Sequence, residues 1–232
     1  MSRNALIFGA GSGISASFAR ALAKDGYRVA LVARDTKKLA ALAAETKAHL
    51  IAADATKPDA VATAFDEAER THGQVDVVLY NAAYRVKGPF AELDPVEVAR
   101  VLDVTAYGAF LTGREAARRM LPRKAGTIMF MGASAGVKGY PLSAPFAMGK
   151  FAMRGLAQSM ARELHPQGVH VAHFVIDGGV RNPARGRVET SDAMPDSFLS
   201  PDAIAETYMH VLRQPRSSWS WEVEVRPWVE KF

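Results

Sequence analysis

The amino-acid sequence predicts an α/β fold with a doubly wound parallel β-sheet of about seven strands and helices on both faces. Short apolar runs alternate with helical patterns along all 232 residues. Most of these runs are continuous, as expected for strands that are buried on both faces. Because parallel strands need right-handed crossover connections, the intervening helices should cover both faces of one sheet.

Seven segments are predicted to be strands. They are Ala5–Phe8, Arg28–Val32, His49–Ala52, Val75–Tyr80, Thr127–Met131, Val169–Val175 and Trp221–Val225. The clearest helical segments are Pro58–Thr71, Val96–Arg119 and Ala147–Leu164. A last helix should begin after Ser200, whose hydroxyl can cap the first turn, and it should end before Pro215. Trp219, Trp221, Val223 and Val225 alternate with polar residues, which predicts a terminal strand with one buried face.

A single domain is expected over residues 1–232, because no repeat, low-complexity tract or linker divides the sequence. An apolar content of 49% suits one sizeable core. One long irregular segment, at about 177–200, is rich in Gly, Pro and Arg. Loops of this length in compact domains are more often functional than idle, so this insertion is expected to border the substrate.

The composition excludes several classes of function. There are no cysteines, and the six histidines include no pair at i, i+4 spacing, so no metal site is predicted. The formal charge is +5, but basic and acidic residues are interleaved, which does not indicate a nucleic-acid-binding protein. The positive charge instead suits an anionic cofactor and an anionic small-molecule substrate. With no leader-like start and no apolar run that could cross a bilayer, a cytoplasmic protein without membrane contact is expected.

A glycine-rich turn follows the first strand and opens a helix of small residues. The candidate phosphate-binding residues in it are Gly9, Gly11, Ser12, Gly13 and Ile14. Glycines allow the backbone to turn tightly and approach a pyrophosphate, and the N-terminus of the helix offers N–H groups and a positive dipole end. The position after the first strand favours a dinucleotide site over an ordinary strand–helix turn.

The ends of the next strands add further candidates. The second strand ends at Ala33 and Arg34, where an NAD-binding protein would carry a carboxylate, so a cation there favours the 2′-phosphate of NADP(H). Lys37 and Lys38 lie nearby, and the alternative is that all three cations are solvated surface charges. Asp54, with Ala55 after it, ends the third strand where an adenine amino group can be held.

These motifs resemble those of the short-chain dehydrogenase/reductase family over essentially the full chain. That family's Thr-Gly-x-x-x-Gly-x-Gly turn corresponds to Phe8–Ser15, with serine in place of the third glycine. Its Asn-Ala-Gly corresponds to Asn81-Ala82-Ala83, and the helix after its active-site lysine is similar to Arg154-Gly155-Leu156. The resemblance implies a Rossmann-type fold, NADP(H) bound with help from Asn81 and Ala82, and a homodimer or homotetramer.

The resemblance also implies a catalytic set that this chain has largely replaced. The family uses a tyrosine that donates a proton, a lysine four residues later, a serine thirteen residues before the tyrosine, and an asparagine on an earlier helix. Here these positions hold Phe146, Lys150, Ala133 (with Ser134 beside it) and Thr105. Phenylalanine has no proton to donate, and losing a general acid costs about 10²–10⁴ in rate. Lys150 is retained, and a crowded lysine can have a lowered pKa that suits an acid.

Several side chains are alternatives for the missing groups. Tyr84, Tyr107 and Tyr140 lie near the site in sequence, although packing or surface positions are the simpler interpretation for each. The loop after the sixth strand departs from the family's Pro-Gly-x-Val-x-Thr, and its arginines suit either an anion or solvent. These arginines are Arg181, Arg185 and Arg187.

Two functions remain open at the level of sequence. One is an atypical NADP(H)-dependent oxidoreductase that transfers hydride to an unknown carbonyl or alkene. The other is a catalytically inactive dinucleotide-binding sensor or partner subunit on the same scaffold, and a weaker third is an association fold that binds no dinucleotide.

Overall fold

The computed structural model describes residues 3–183, 186–189 and 194–231 of the chain. Seven strands form one parallel sheet in the order β3-β2-β1-β4-β5-β6-β7, which confirms the predicted fold class. The strands are β1 (Arg3–Phe8), β2 (Tyr27–Ala33), β3 (His49–Ala52), β4 (Val77–Tyr80), β5 (Thr127–Met131), β6 (His170–Ile176) and β7 (Glu222–Val225). Each predicted strand therefore exists, with its ends shifted by two residues at most.

Seven α-helices connect and cover these strands. They are α1 (Ile14–Lys24), α2 (Ala40–Thr46), α3 (Pro58–His72), α4 (Pro95–Leu102), α5 (Gly108–Met120), α6 (Ala144–Leu164) and α7 (Pro201–Leu212). The last helix begins as predicted, because the Ser200 side chain accepts a hydrogen bond from the N–H of Ala203. No helix in the described residues is both long enough and apolar enough to cross a membrane.

Two apolar cores lie on the two faces of the sheet. On one face, α1, α2 and α7 pack on the strands, with Phe18 and Phe174 in contact with the fully buried ring of Tyr208. On the other face, α3, α5 and α6 pack around Phe8, Phe65 and their neighbours. Burial on both sides explains why the central strands are continuous apolar runs in the sequence.

The segment predicted as one helix, Val96–Arg119, is interrupted. A π-helical turn at Asp103–Tyr107 separates α4 from α5 without breaking the helical path. Tyr80, at the end of β4, donates a short hydrogen bond to the carbonyl of Val104 within this turn. A π turn inserts one residue into the helical repeat, so no apolar pattern of period 3.6 can reveal it.

The predicted alternation at the terminal strand is wrong for the tryptophans. Val223 and Val225 pack on the α1/α7 core as predicted, but Trp221 packs on the opposite core. The reason is that β7 begins at Glu222, so Trp221 lies before the strand and does not follow its period of two. Trp219 stacks on the ring of His170 instead, at a centroid distance of 4.7 Å.

The long segment after β6 has little regular structure, as predicted. Isolated bridges pair Val180 with Leu199 and Asn182 with Arg187, which hold its two ends together. Residues 184–185 and 190–193 lie outside the described part, and so does the candidate Arg185.

The winding of the sheet reverses between β1 and β4, and their carboxyl ends meet closely there. Gly9 follows β1 with φ of +72°, and a Cβ on it would lie 2.3 Å from the backbone N of Ala82, which follows β4. Only glycine satisfies both the left-handed backbone and this approach. The crevice at this reversal is the expected position of a ligand site in such sheets.

Replacing Gly9 with alanine should destabilise the fold by about 2–4 kcal/mol, because the new methyl group adds left-handed strain and a clash with Ala82. Gly155→Ala is the matched control. Gly155 lies in α6 with no atom within 4 Å of an added Cβ, so this change should stabilise by about 0.5–1 kcal/mol. Urea denaturation of both variants checks the pair, and equal effects of the two changes would contradict the close approach.

Candidate active site

A cleft of about 1140 Å³ opens at the carboxyl ends of the strands, on both sides of the β1/β4 reversal. It is lined by the turn after β1, the ends of β2 and β3, the loops after β4, β5 and β6, and one face of α6. All the candidate cofactor residues from the sequence line it. They are Gly9, Gly11, Ser12, Gly13, Ile14, Arg34, Asp54, Ala55, Asn81, Ala82 and Lys150.

The turn after β1 is closed by the serine that departs from the family pattern. The N–H of Gly11 donates to the Ser15 hydroxyl at 2.9 Å, and Ser15 is 1% exposed on the first turn of α1. An added Cβ on Gly11 would meet no atom within 4 Å, so the turn borders open space. At the start of α1 the carbonyl of Gly13 accepts from the N–H groups of Ala16 and Ser17, and the earlier N–H groups of the first turn are of the kind that binds anions.

Asn81 links the two sides of the reversal. Its Nδ2 donates to the carbonyl of Gly9 at 2.9 Å, so the side chain fixes the phosphate turn against the end of β4. Its Oδ1 is buried and has no hydrogen-bond partner within the described part of the chain. Asn81 therefore closes its turn and also leaves one acceptor for a ligand with an N–H or O–H group.

The far end of the cleft is built from the ends of β2 and β3. Arg34 is exposed there and forms no ion pair with any described residue, while Lys38 lines the cleft and lies 3.8 Å from Asp35. Lys37 is not among the residues that line the cleft. Burial opposes ionisation of Asp54, but hydrogen bonds from Thr56 and the nearby Arg34 hold its pKa below the usual range.

Lys150 lies at the opposite end of the cleft. Its side chain extends from α6, is 1% exposed, and donates from Nζ to the carbonyl of Met131 at 2.6 Å. Burial lowers its pKa to about 7, because a charged ammonium loses hydration in the interior. Lys150 can therefore gain and lose a proton near neutral pH.

A buried ionic cluster lies behind Lys150. His173 on β6 donates from Nδ1 to Glu222 at 3.0 Å, and Glu222 also accepts from Arg154 at 2.6 and 2.8 Å. Burial lowers the pKa of His173 to about 4, and the positive charges of Lys150 and Arg154 contribute, so its ring is neutral at pH 7. Gly132 makes room for this ring, since an added Cβ would lie 2.3 Å from Nε2.

The side chains at the other family positions offer little acid–base chemistry. Phe146, Ala133 and Ser134 line the same cleft as Lys150. Thr105 does not line it. This threonine is fully buried in the π turn, accepts a hydrogen bond from the N–H of Tyr84 at 3.4 Å, and packs where an added Cβ on Gly149 would meet its Cβ at 2.9 Å.

Only one of the three candidate tyrosines lines the cleft. Tyr84 donates its hydroxyl to Glu97 at 2.5 Å, and Tyr107 stacks on Phe110 at 6.2 Å, both away from the site. Tyr140 lines the cleft and is 40% exposed, with Lys138 Nζ 5.8 Å from its ring centroid.

The arginines of the loop after β6 divide between two roles. Arg181 pairs with Glu189 at 2.7 Å and does not line the cleft, whereas Arg187 does. Asn182, bridged to Arg187, donates from Nδ2 to Ser12 Oγ at 3.4 Å, so the loop crosses the phosphate turn.

Sequence reasoning missed four residues of the site. Arg85 and Lys87 line the cleft, Asn182 donates a hydrogen bond to Ser12 of the glycine-rich turn, and His173 lies near enough to Lys150 for the lysine charge to lower its pKa. The first two follow the end of β4 closely, and loops after carboxyl ends of parallel strands form the ligand crevice, so that rule was sufficient to find them. His173 had no comparable signal, because its role depends on packing between β6, β7 and α6.

Comparison with known proteins agrees with this geometry. The family model described as short chain dehydrogenase matches residues 3–191. The 3-oxoacyl-(acyl-carrier-protein) reductase MabA of Mycobacterium bovis is 31% identical over 178 residues, which cover 77% of this chain and 69% of the relative.

Two solved structures are similar over nearly the whole chain. A short-chain dehydrogenase from Rhodopseudomonas palustris is 33% identical, with a TM-score of 0.83, and the match covers 97% of this chain and 99% of the other. A metagenomic short-chain oxidoreductase in complex with NADP is 29% identical, with a TM-score of 0.83 and 98% coverage of both chains.

Replacing Lys150 with methionine should raise the free energy of unfolding by about 1–3 kcal/mol at pH 6–7, because the buried ammonium costs stability. The difference in free energy of unfolding between Lys150→Met and wild type should decrease as the pH rises from about 7 towards 10.5, the ordinary pKa of lysine. In that window the folded wild type has lost the proton that the unfolded chain still holds, so wild-type stability rises with pH.

Urea denaturation at pH 6, 8 and 10 measures this dependence. Lys37→Met serves as the control, because Lys37 is exposed and its replacement should change stability by less than about 0.5 kcal/mol. A Lys150→Met protein that is less stable than wild type by the same amount at every pH would show that the lysine stabilises the fold.

Proposed function

Since the chain belongs to the short-chain dehydrogenase family, we propose that it is an NADP(H)-dependent oxidoreductase in which Lys150, rather than a tyrosine, exchanges the proton. The observation that carries this proposal is a single cleft with an unpaired arginine at one end and a buried lysine of lowered pKa at the other. The reaction is the reduction of a carbonyl or activated alkene, or its reverse.

The residues of the cleft fit a dinucleotide. Gly11 borders open space, and Asn81 keeps a buried acceptor without a partner in the described residues. Gly13 is the N-cap of α1, whose N-terminus suits the pyrophosphate, and Asp54 keeps an ionised carboxylate near the adenine end. NADPH supplies the hydride when it is bound.

Arg34 supports the choice of NADP(H) over NAD(H). Its guanidinium lies at the end of β2 with no carboxylate partner in the described residues, and Ala33 before it offers no group that could bind the ribose hydroxyls. A planar guanidinium suits the oxygens of a 2′-phosphate. The similar metagenomic oxidoreductase was solved with NADP.

In this proposal Lys150 is the general acid that donates the proton. As hydride reaches the carbonyl carbon, the carbonyl oxygen takes up a proton, and the ammonium of Lys150 gives it. The resulting neutral amine is stable in the buried site, because its pKa is about 7, and it regains a proton from solvent. Phe146 has no ionisable group and contributes no proton.

Replacing Arg34 with serine should weaken NADPH binding about 10–100-fold and leave NADH binding nearly unchanged, because a charge-assisted hydrogen bond contributes about 1.5–3 kcal/mol. Calorimetric titration of wild type and variant with both nucleotides measures this. Arg28→Ser, an exposed arginine on the same strand but outside the cleft, should change neither affinity. Equal losses for NADPH and NADH would contradict a role at the 2′-phosphate.

Oxidation of NADPH by a panel of aldehydes, ketones and activated alkenes should decline as the pH rises through about 7, as Lys150 loses its proton. Lys150→Met should reduce turnover at least about 100-fold, the range expected for loss of a general acid. Tyr140→Phe, which removes the one described cleft hydroxyl of a tyrosine, should change turnover only a few-fold.

The absence of tyrosine at position 146 favours a second function, a dinucleotide-binding sensor or partner subunit. Intact NADPH binding without turnover across the panel would identify it. If the Phe146→Tyr, Ala133→Ser double variant then gained turnover, the residues at these two positions would be the cause of the inactivity.

A further inference from the structure

The loop after β4 carries two cations that the proposed function leaves unused. Arg85 and Lys87 are both exposed, and both line the cleft. Neither forms an ion pair within residues 3–183, 186–189 and 194–231. Two uncompensated positive charges in a cleft raise the local concentration of anions and give them a binding partner.

Two cations beside the cleft residue Asp177 are compensated. Lys138 and Arg226 both contact Asp177, at 3.2 and 3.1 Å, and Asp177 is 2% exposed. Glu230 also lines the cleft but forms no ion pair with Arg85 in the described residues. Arg85 and Lys87, like Arg187 on the loop after β6, line the cleft without an ion pair in the described residues.

Arg85 is held in place by uncharged groups. Its Cζ lies 4.9 Å from the ring centroid of Phe146, and its Nη2 donates to the Ser143 hydroxyl at 3.4 Å. A backbone hydrogen bond joins this loop to the segment before α6, because the N–H of Gly88 donates to the carbonyl of Leu142 at 3.1 Å. An aromatic ring orients a guanidinium without neutralising it, so the remaining donors stay available for a planar anion.

The same ring also borders the proton donor. Lys150 Nζ lies 5.8 Å from the centroid of Phe146, so one side chain contacts both the anion-binding arginine and the lysine. Because both cations lie over this ring, a ligand whose anionic group is a few carbon atoms from its carbonyl is suited to meet both of them.

We propose that Arg85, seated on Phe146 and supported by the charge of Lys87, binds the carboxylate of a short oxo acid whose carbonyl lies beside Lys150. The reductive step rests on the proposed function. In that step the carbonyl carbon gains the hydride, its oxygen gains one proton from Lys150, and the carboxylate is unchanged, so the product is a hydroxy acid. Phe146 thus acts as the platform that positions the arginine.

The test compares each acid with its neutral methyl ester. Acetoacetate and 2-oxobutanoate, with their methyl esters, are titrated into the wild-type protein with and without NADP⁺ and are then assayed with NADPH. Arg85→Gln should weaken binding of the acids, and lower kcat/KM for them, about 10–100-fold, the range of one charge-assisted contact. The esters and the affinity for NADPH should be unaffected. Arg85→Lys should lie between, because lysine keeps the charge and loses the planar fork.

Arg70→Gln on α3 is the control for loss of one exposed arginine, because Arg70 lies outside the cleft. If the acids bind and their binding depends on Arg85, the inference is supported. If the bound acids are then not reduced by NADPH, only the proposed function fails. The inference is overturned if the acids and their esters bind or react equally. It is also overturned if the Arg85→Gln protein prefers acids over esters as strongly as the wild type does. In either case, oxidation of NADPH with these substrates would still support the proposed function. No binding of either acid also overturns the inference.

Discussion

The close approach of the chain after β1 to the chain after β4 governs the architecture of the site. Gly9 has no room for a side chain there, and Asn81 spans the gap by donating to the carbonyl of Gly9. Because the crossovers leave in opposite directions on the two sides of this contact, the strand ends diverge above it and form one long cleft. The glycine-rich turn after β1, Arg34 at the end of β2 and Lys150 are all placed relative to that contact.

Burial of charge is the second feature that shapes the site. Lys150 is kept in the interior with one carbonyl acceptor, which costs stability and brings its pKa near neutrality. The ionic cluster of Arg154, Glu222 and His173 lies directly behind it and is internally compensated. Lys150 has no carboxylate partner in the described residues and lies near a neutral histidine, which is the arrangement that the proposed proton exchange needs.

Phe146 gives the site its particular character. The resemblance implies a proton-donating tyrosine at this position, whereas here a ring without a hydroxyl contacts both Arg85 and Lys150. Arg85, which lies over this ring, has no carboxylate partner in the described residues. In the proposed chemistry Lys150 supplies the proton and Arg85 binds the anion, and both cations lie over the one ring of Phe146.

The sequence by itself determined the fold class, all seven strands and the residues of the dinucleotide end. Each of those features can be recognised from residues that are neighbours in the sequence. They are the continuous apolar runs, the glycine-rich turn at the end of β1, and Arg34 directly after β2. Only the tertiary structure placed Arg85 over Phe146, removed Thr105 from the cleft and brought His173 behind Lys150. These contacts join residues that are distant along the chain, through a π turn and side-chain packing, and no period or motif in a sequence encodes such distances.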